Sequence, residues 1–182
     1  KIQMKTIKDF ITEKKSNYDF SCAMLYLDFP EMSELHGQIE KEDVYVDPQD
    51  STFGLETEPH VTLLYGLHSN VGLDKVEPIV CEPTYSTVKA HNASLFENDK
   101  YDVLKFDIKG DQLAEVNSKL KQFPFTSDFP DYHPHMTVAY LKKGMGKKYV
   151  DRLKGKEYQI HPSHAVYSMA NGEKHKMTIR RD

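Results

Sequence analysis

The order of elements along the chain predicts an α+β fold, an antiparallel sheet with helices outside it. Two pseudo-symmetric lobes with a cleft between them complete the expectation. Two observations carry this. The elements run helix, strand, loop, strand, helix, strand pair, helix, strand, helix, hairpin, a pattern in which neighbouring strands pair with each other and helices cover them. A seven-residue strand template also occurs twice, with copies 75 residues apart. That separation is too wide for a solenoid repeat and fits two halves of one fold, each giving a strand to a shared cleft.

Each element has its own local reason. Thr6 and Asp9 resemble a helix start, and Ile7, Phe10 and Ile11 supply an apolar face, so a helix is expected at 6–15. The apolar run 22–29, stopped by Pro30, suits a buried strand. A helical turn is expected at 31–39. The stretch 40–59 is acidic, punctuated by Pro48 and Gly54, and reads as a long loop leading into the first template copy, a candidate lid. Strands are expected at 85–96 and 101–109. In the second of these, Leu104, Phe106 and Ile108 alternate with Lys105, Asp107 and Lys109, the period of a half-buried strand. Gly110-Asp111 opens a helix whose Leu113, Val116, Leu120 and Phe123 share a face, ending before Pro124. A strand at 135–141 and a basic helix at 146–154 follow. The chain closes on strands near 157–169 and 173–181, hinged at Asn171-Gly172.

Composition bounds the function. With 182 residues, 38% hydrophobic and 29% charged, the chain suits a single globular domain over 1–182. The first three residues read as a non-native remnant before Met4. No apolar run approaches the ~18 residues needed to cross a bilayer, and the start lacks the pattern of a secretory signal. Cys22 and Cys81 are the two cysteines, which points to a reducing cytoplasm. A net charge of −4 argues against a coat for duplex nucleic acid. That charge is uneven: ten acidic residues and one lysine lie between Asp28 and Glu58, and seven basic residues against one aspartate between Lys142 and Lys156. The basic run is either a solvated helix face or a local field that draws a small anion to a cleft.

The template itself is Pro59-His60-Val61-Thr62-Leu63-Leu64-Tyr65 and Pro134-His135-Met136-Thr137-Val138-Ala139-Tyr140. Nine histidines predict about one His-x-Ser/Thr by chance and three occur. The third, His161-Pro162-Ser163, lacks the apolar tail and is the chance member. In a strand, residues i and i+2 share a face, so His60 with Thr62, and His135 with Thr137, point away from the core. Side by side, such strands bring two imidazoles and two hydroxyls to one polar spot. A pair of groups with pKa near ~6.5 can divide general base and general acid between them, and the hydroxyls can donate to phosphate oxygens as charge builds. No metal or other cofactor is required. A three-His metal site from His60, His133 and His135 is the competing chemistry, and mutual satisfaction of His and Thr in two core strands is the structural alternative.

With these residues in view, the chain resembles the 2H phosphoesterase superfamily, defined by two His-x-Thr/Ser motifs on strands of a two-lobed α+β fold. His60, Thr62, His135 and Thr137 match residue by residue. Gly54-Leu55-Glu56 with Glu58-Pro59-His60, and Tyr167-Ser168 with Asn171-Gly172-Glu173-Lys174, are similar to the phage anti-CBASS nuclease branch, which degrades the cyclic nucleotide signals of bacterial immunity. The RNA 2′,3′-cyclic phosphodiesterase (2′-5′ RNA ligase) branch is the competitor, from which the chain departs in lacking an obvious Arg beside either motif. The resemblance implies catalytic roles for the four motif residues and a small nucleotide partner, either a cyclic oligonucleotide or a 2′,3′-cyclic phosphate RNA end. A nucleotide sponge on the same fold, without turnover, is the non-enzymatic alternative. Secondary candidates for substrate contact are Tyr26, Tyr132 and His133 near the cleft and Glu173 in the last hairpin. Tyr65 and Tyr140, five residues after their histidines, have opposite strand parity and are expected in the core. His36, His68, His91, His161, His164 and His175 carry no pattern and are expected at the surface.

Overall fold

The computed structural model describes residues 20–182; the helix expected at 6–15 lies outside them. In chain order the elements are β1 (Phe20–Asp28), α1 (Met32–Gly37), β2 (His60–His68), α2 (Leu73–Cys81), β3 (Thr84–Tyr85), β4 (Val88–Glu97), β5 (Tyr101–Lys109), α3 (Leu113–Leu120), β6 (His135–Lys142), α4 (Lys147–Arg152), β7 (Tyr158–Ser168), β8 (Lys174–Met177) and β9 (Arg180–Arg181). The run expected as one strand at 85–96 is divided, because β3 pairs in parallel with β9 while β4 joins the main sheet. The closing strand is divided likewise into β8 and β9. The Asn171-Gly172 hairpin forms as expected, with Gly172 at φ 91° and the Met169 N–H donating to the Glu173 carbonyl.

The main sheet is antiparallel and runs β2-β1-β7-β4-β5-β6, with β8 on β7. Strand β7 serves both lobes. Its first residues pair with β4 and the remainder with β1, and Pro162 is tolerated in this interior strand beside a register shift. The two motif strands are therefore the outermost members of the path rather than paired neighbours. They meet because the sheet curls until β2 and β6 touch. Leu25, Val61, Leu63, Leu104, Phe106, Met136 and Val138 fill the core beneath the sheet. The helices cross over: α3, which follows β5, packs on β2, while α1, which follows β1, packs on β6.

Each motif strand bulges at the same template position, and β2 has a second extra residue at Gly66. In β2, Ala23 faces Leu64 and Met24 faces Thr62, leaving Leu63 without a partner. In β6, Leu104 faces Ala139 and Lys105 faces Thr137, leaving Val138 unpartnered. Both bulges fall three residues after the histidine. A bulge turns its main chain out of the ladder, so its carbonyl needs another donor. The buried Asn117 of α3 donates its side-chain N–H to the Leu63 carbonyl at 2.7 Å. Across the pseudo-dyad, His36 of α1 donates from Nε2 to the Val138 carbonyl at 2.9 Å. His36 is thus partly buried and structural, not a surface residue.

The bulges also correct the parity argument. Beyond the extra residue the alternation inverts, so Tyr65 and Tyr140 lie on the same face as their histidines. Cys22 pairs with Tyr65 and Val103 with Tyr140. Tyr140 is buried there, in a second apolar cluster with Tyr101, Val103, Tyr45 and Phe53.

The segment before each histidine lines the edge of the opposite motif strand. From the 40–59 loop, Tyr45 and Glu56 donate main-chain N–H groups to Tyr140 and Val138, and Tyr140 donates to Gly54. The loop is therefore tied at both ends and is not a free lid. From the segment before His135, Thr126 donates to the Gly66 carbonyl and His68 donates to that of Pro124. Gly66, at φ 100°, is needed here because a side chain would run into the Thr126 carbonyl. Covering both edges removes the unpaired strands that invite aggregation.

The basic run is largely a solvated face, Lys148 alone of its seven basic residues being partly buried. Lys148 of α4 pairs with Asp43 at 2.6 Å and with Glu40 at 3.4 Å, and the Tyr149 hydroxyl donates to Asp43. The acidic loop and the basic run thus clamp each other.

Replacing Asn117 by Leu strands a buried carbonyl, so urea unfolding should show a loss of about 1–3 kcal/mol with the m-value unchanged. Undiminished stability would mean that Asn117 is not the donor on which the β2 bulge depends.

Candidate active site

The curl of the sheet brings one polar face of each lobe into a common cleft. From the first lobe come His60 and Thr62 on β2, Tyr26 on β1 and His164 on β7. From the second come His135 and Thr137 on β6 with Lys105 and Asp107 on β5. The pairing is equivalent on both sides: Tyr26 stands opposite His60 and Met24 opposite Thr62, as Asp107 stands opposite His135 and Lys105 opposite Thr137. All four motif side chains are partly buried.

The two imidazoles are oriented alike. His60 Nδ1 lies 2.8 Å from the Glu58 carbonyl, and His135 Nδ1 lies 3.0 Å from the His133 carbonyl. A carbonyl only accepts, so each Nδ1 carries the proton and each neutral ring has its lone pair on Nε2. The carbonyl two residues upstream thus sets the tautomer in both halves.

Their surroundings differ. The Phe96 ring stands edge-on to His135 at 4.9 Å between centroids. Burial drives the pKa of His135 down to about 4; the hydrogen bond to His133 opposes this, and the Lys105 and His60 charges reinforce it. On the other side, the Tyr26 ring lies 5.5 Å from His60 and 4.9 Å from His164. Burial, then the negative charges of Glu58 and Glu56, push the Tyr26 hydroxyl up to about 12. A lysine therefore flanks one histidine and carboxylates approach the ring beside the other.

The remaining sequence candidates fall in different places. Tyr132 is partly buried against the core and its hydroxyl donates to the Thr62 carbonyl at 2.8 Å, bracing the first motif from the segment before the second. His133 is exposed, its carbonyl engaged with His135. Glu173 is exposed, paired with His175 at 3.0 Å. It lies in the last hairpin, past the Cys22–Ser168 pair, which is four residues along β1 from Tyr26. Sequence reasoning missed Lys105, Asp107 and His164. The alternation in β5 assigned Lys105 and Asp107 to a solvent face, and that face is the cleft. Among the described residues no three His, Cys, Asp or Glu side chains gather as metal ligands.

The Acb1 family of anti-CBASS proteins matches residues 55–168, more than half the chain and both motif strands. The chain belongs to the Acb1 anti-CBASS family. A comparison with curated proteins gives no match. Among solved structures, Usb1 of Kluyveromyces marxianus with uridine monophosphate is similar over 88% of this chain and 98% of that one, at TM-score 0.53 and 11% identity. A phosphoesterase aligns over 88% and 96% of the two chains at TM-score 0.46 and 14% identity. Escherichia coli LigT complexed with phosphate aligns over 88% and 99% at TM-score 0.39 and 12% identity. The likeness to Usb1 shows the fold alone; the other two are too slight to carry an argument. No described helix is long and apolar enough to cross a membrane. Within this Acb1 family chain the matched span takes in β2 to β7 and so every cleft residue named above except Tyr26.

The low pKa of His135 has a consequence for stability. Its folded value lies below the ~6.5 of an unfolded chain, so the unfolded state gains the proton first. The contribution is complete above pH ~6.5 and is lost as pH falls from there toward about 4. Urea unfolding at steps across that window should show a steeper decline for the wild type than for His135→Gln. Equal slopes would mean that His135 titrates normally.

Proposed function

We propose that the chain is a metal-independent phosphodiesterase that hydrolyses cyclic oligonucleotide signals in the host cytoplasm, as a viral counter to CBASS immunity. The observation that carries this reading is the duplicated His-x-Thr strand: the same bulge, the same ring orientation and the same hydroxyl, presented twice across one cleft. Family membership supports the anti-CBASS role.

In the proposed reaction His135, neutral down to about pH 4, takes the proton of the nucleophile at Nε2. The nucleophile is a water or a ribose 2′-hydroxyl. Its oxygen attacks phosphorus, the bond to the leaving oxygen breaks, and protonated His60 supplies that oxygen with a proton from Nε2. The Thr62 and Thr137 hydroxyls donate to the non-bridging oxygens as negative charge grows on them. Tyr26, lying between His60 and His164, offers a ring face to a base.

The test is cleavage in the presence of a chelator, with cyclic di- and trinucleotides offered beside an oligoribonucleotide ending in a 2′,3′-cyclic phosphate. Opening of the closed rings is expected. Loss of at least ~10²-fold is expected for His60→Ala and for His135→Ala, and a loss of similar order in kcat for Thr62→Val or Thr137→Val. Cleavage of the terminal cyclic phosphate alone would move the protein to RNA-end chemistry. Tight binding without turnover would make it a sponge, and abolition by the chelator would defeat the metal-free mechanism.

A further inference from the structure

The paired-histidine reaction leaves one charged side chain of the cleft without a task. Lys105 is 8% exposed, yet it does not belong to the core. Its strand neighbours Leu104 and Phe106 point into the core, while Lys105 shares the opposite face with Thr137 and His135. A buried ammonium is costly unless its charge is matched. Here Asp107 meets it at 2.8 Å, and the Phe96 ring lies beneath it, 4.5 Å from the nitrogen to the ring centre. Asp107 is in turn held by the side-chain N–H of Asn92 at 2.7 Å. Asn92 reaches it from a bulge in β4, at φ 53°. Burial works against the Asp107 charge, but the hydrogen bonds from Lys105 and Asn92 and the nearby ammonium hold its pKa below the usual carboxylate range.

An ammonium has three N–H donors, and among the described residues Asp107 is its one hydrogen-bonding acceptor. The remaining donors belong to a group fixed beside Thr137, on the face where phosphate oxygens would rest. The arrangement suits an anion rather than mere packing: an ion pair with no task can often be replaced by apolar side chains without loss, whereas this one is held at the cleft by two further residues, Asn92 and Phe96.

We propose that Lys105 binds a non-bridging oxygen of the scissile phosphate, its ammonium positioned by Asp107, Asn92 and Phe96. This rests on the reading of the cleft as a phosphodiester site. A charge-assisted hydrogen bond from a preset cation strengthens as charge grows on those oxygens. It also supplies, from the neighbouring strand, the cation that neither motif has beside it in sequence.

The probe is inorganic phosphate, titrated while the ring resonances of His60 and His135 are followed by NMR. Affinity should fall about tenfold or more in Lys105→Met, the size of losing one charged hydrogen bond, and should be largely kept in Lys105→Arg. The double variant Lys105→Met with Asp107→Asn removes both charges together, leaves no orphaned carboxylate, and serves if the single variant does not fold. Against the wild type's preferred substrate, Lys105→Met should lose on the order of 10²-fold in kcat. Unchanged phosphate affinity in the neutral variants, or no phosphate binding by the wild type, would overturn the assignment. A wild type that binds phosphate through Lys105 but cleaves no cyclic oligonucleotide would instead overturn the functional reading and leave Lys105 as the anion site.

Discussion

Much of the architecture hangs on two carbonyl groups. A bulge three residues after each histidine tips the Leu63 and Val138 carbonyls out of the ladder, and a side chain from the opposite lobe's helix catches each one. Without a bulge the alternation would run on, sending Tyr65 and Tyr140 into the core that Leu64 and Ala139 now occupy. With it, three positions of each template (His, Thr, Tyr) share the cleft face while the apolar residues between stay buried. An unmet carbonyl in an apolar layer is expensive, so the Asn117 amide is a condition of the β2 geometry, while the Val138 carbonyl is met by His36 and the Glu56 N–H together. The same bonds tie each helix to the motif strand of the other half, which holds the cleft closed at its floor.

The second level of cross-bracing acts at the edges. The acidic loop lies along β6 and the segment after α3 lies along β2, so neither lobe completes its sheet alone. Charge joins in, since Lys148 and Arg152 hold Glu40, and Lys148 also holds Asp43, where the acidic loop begins. Exposed ion pairs of this kind are individually weak. Asp43, however, is buried and also receives the Tyr149 hydroxyl, so the cluster fixes the path of the chain from α1 toward His60.

The sequence disclosed the strands, the duplicated template and the terminal hairpin, because apolar alternation, exact repetition and Asn-Gly turns are local signals. It did not disclose the bulges. One inserted residue leaves the template unchanged and shows only in the register with the next strand, so counting by twos put Tyr65 and Tyr140 on the wrong face. Lys105 and Asp107 were hidden for a related reason. A lysine alternating with buried Leu104 and Phe106 has the pattern of a solvent-facing residue, and nothing local tells water from a cleft made by strands far apart in the chain. His36 and His164 carried no motif at all; their partners, the Val138 carbonyl and the Tyr26 ring, are supplied entirely by tertiary structure. The charge runs were visible, but the clamp between them was not, because a basic helix and an acidic loop show their pairing only once the fold sets one against the other.

Duplication gives two histidines of the same local geometry, and a pair titrating near ~6.5 can divide the roles of acid and base between them. Shared geometry lets either ring reach the reacting atoms, and a difference in environment biases which ring is neutral. The structure separates the two by distance from the ring. What touches the ring from its own strand is the same in both halves: an upstream carbonyl on Nδ1, a threonine two residues on, a bulge after that. What reaches it from the neighbouring strands is different. The strand beside His135 supplies a lysine salt-bridged to an aspartate, Phe96 of β4 stands edge-on to the ring, and burial first, then the lysine's charge, favours the neutral form against the aspartate's pull. The strand beside His60 supplies Tyr26 in the place of Asp107, open to the carboxylates of the acidic loop. Identity of the motif then secures the shared orientation of the two imidazoles, while the neighbours differ, burial among them lowering the pKa of His135. Lys105 is where the two meet: its charge adds to the burial that lowers the pKa of His135, against the opposing charge of Asp107, and under the proposed function the same ammonium faces the phosphate.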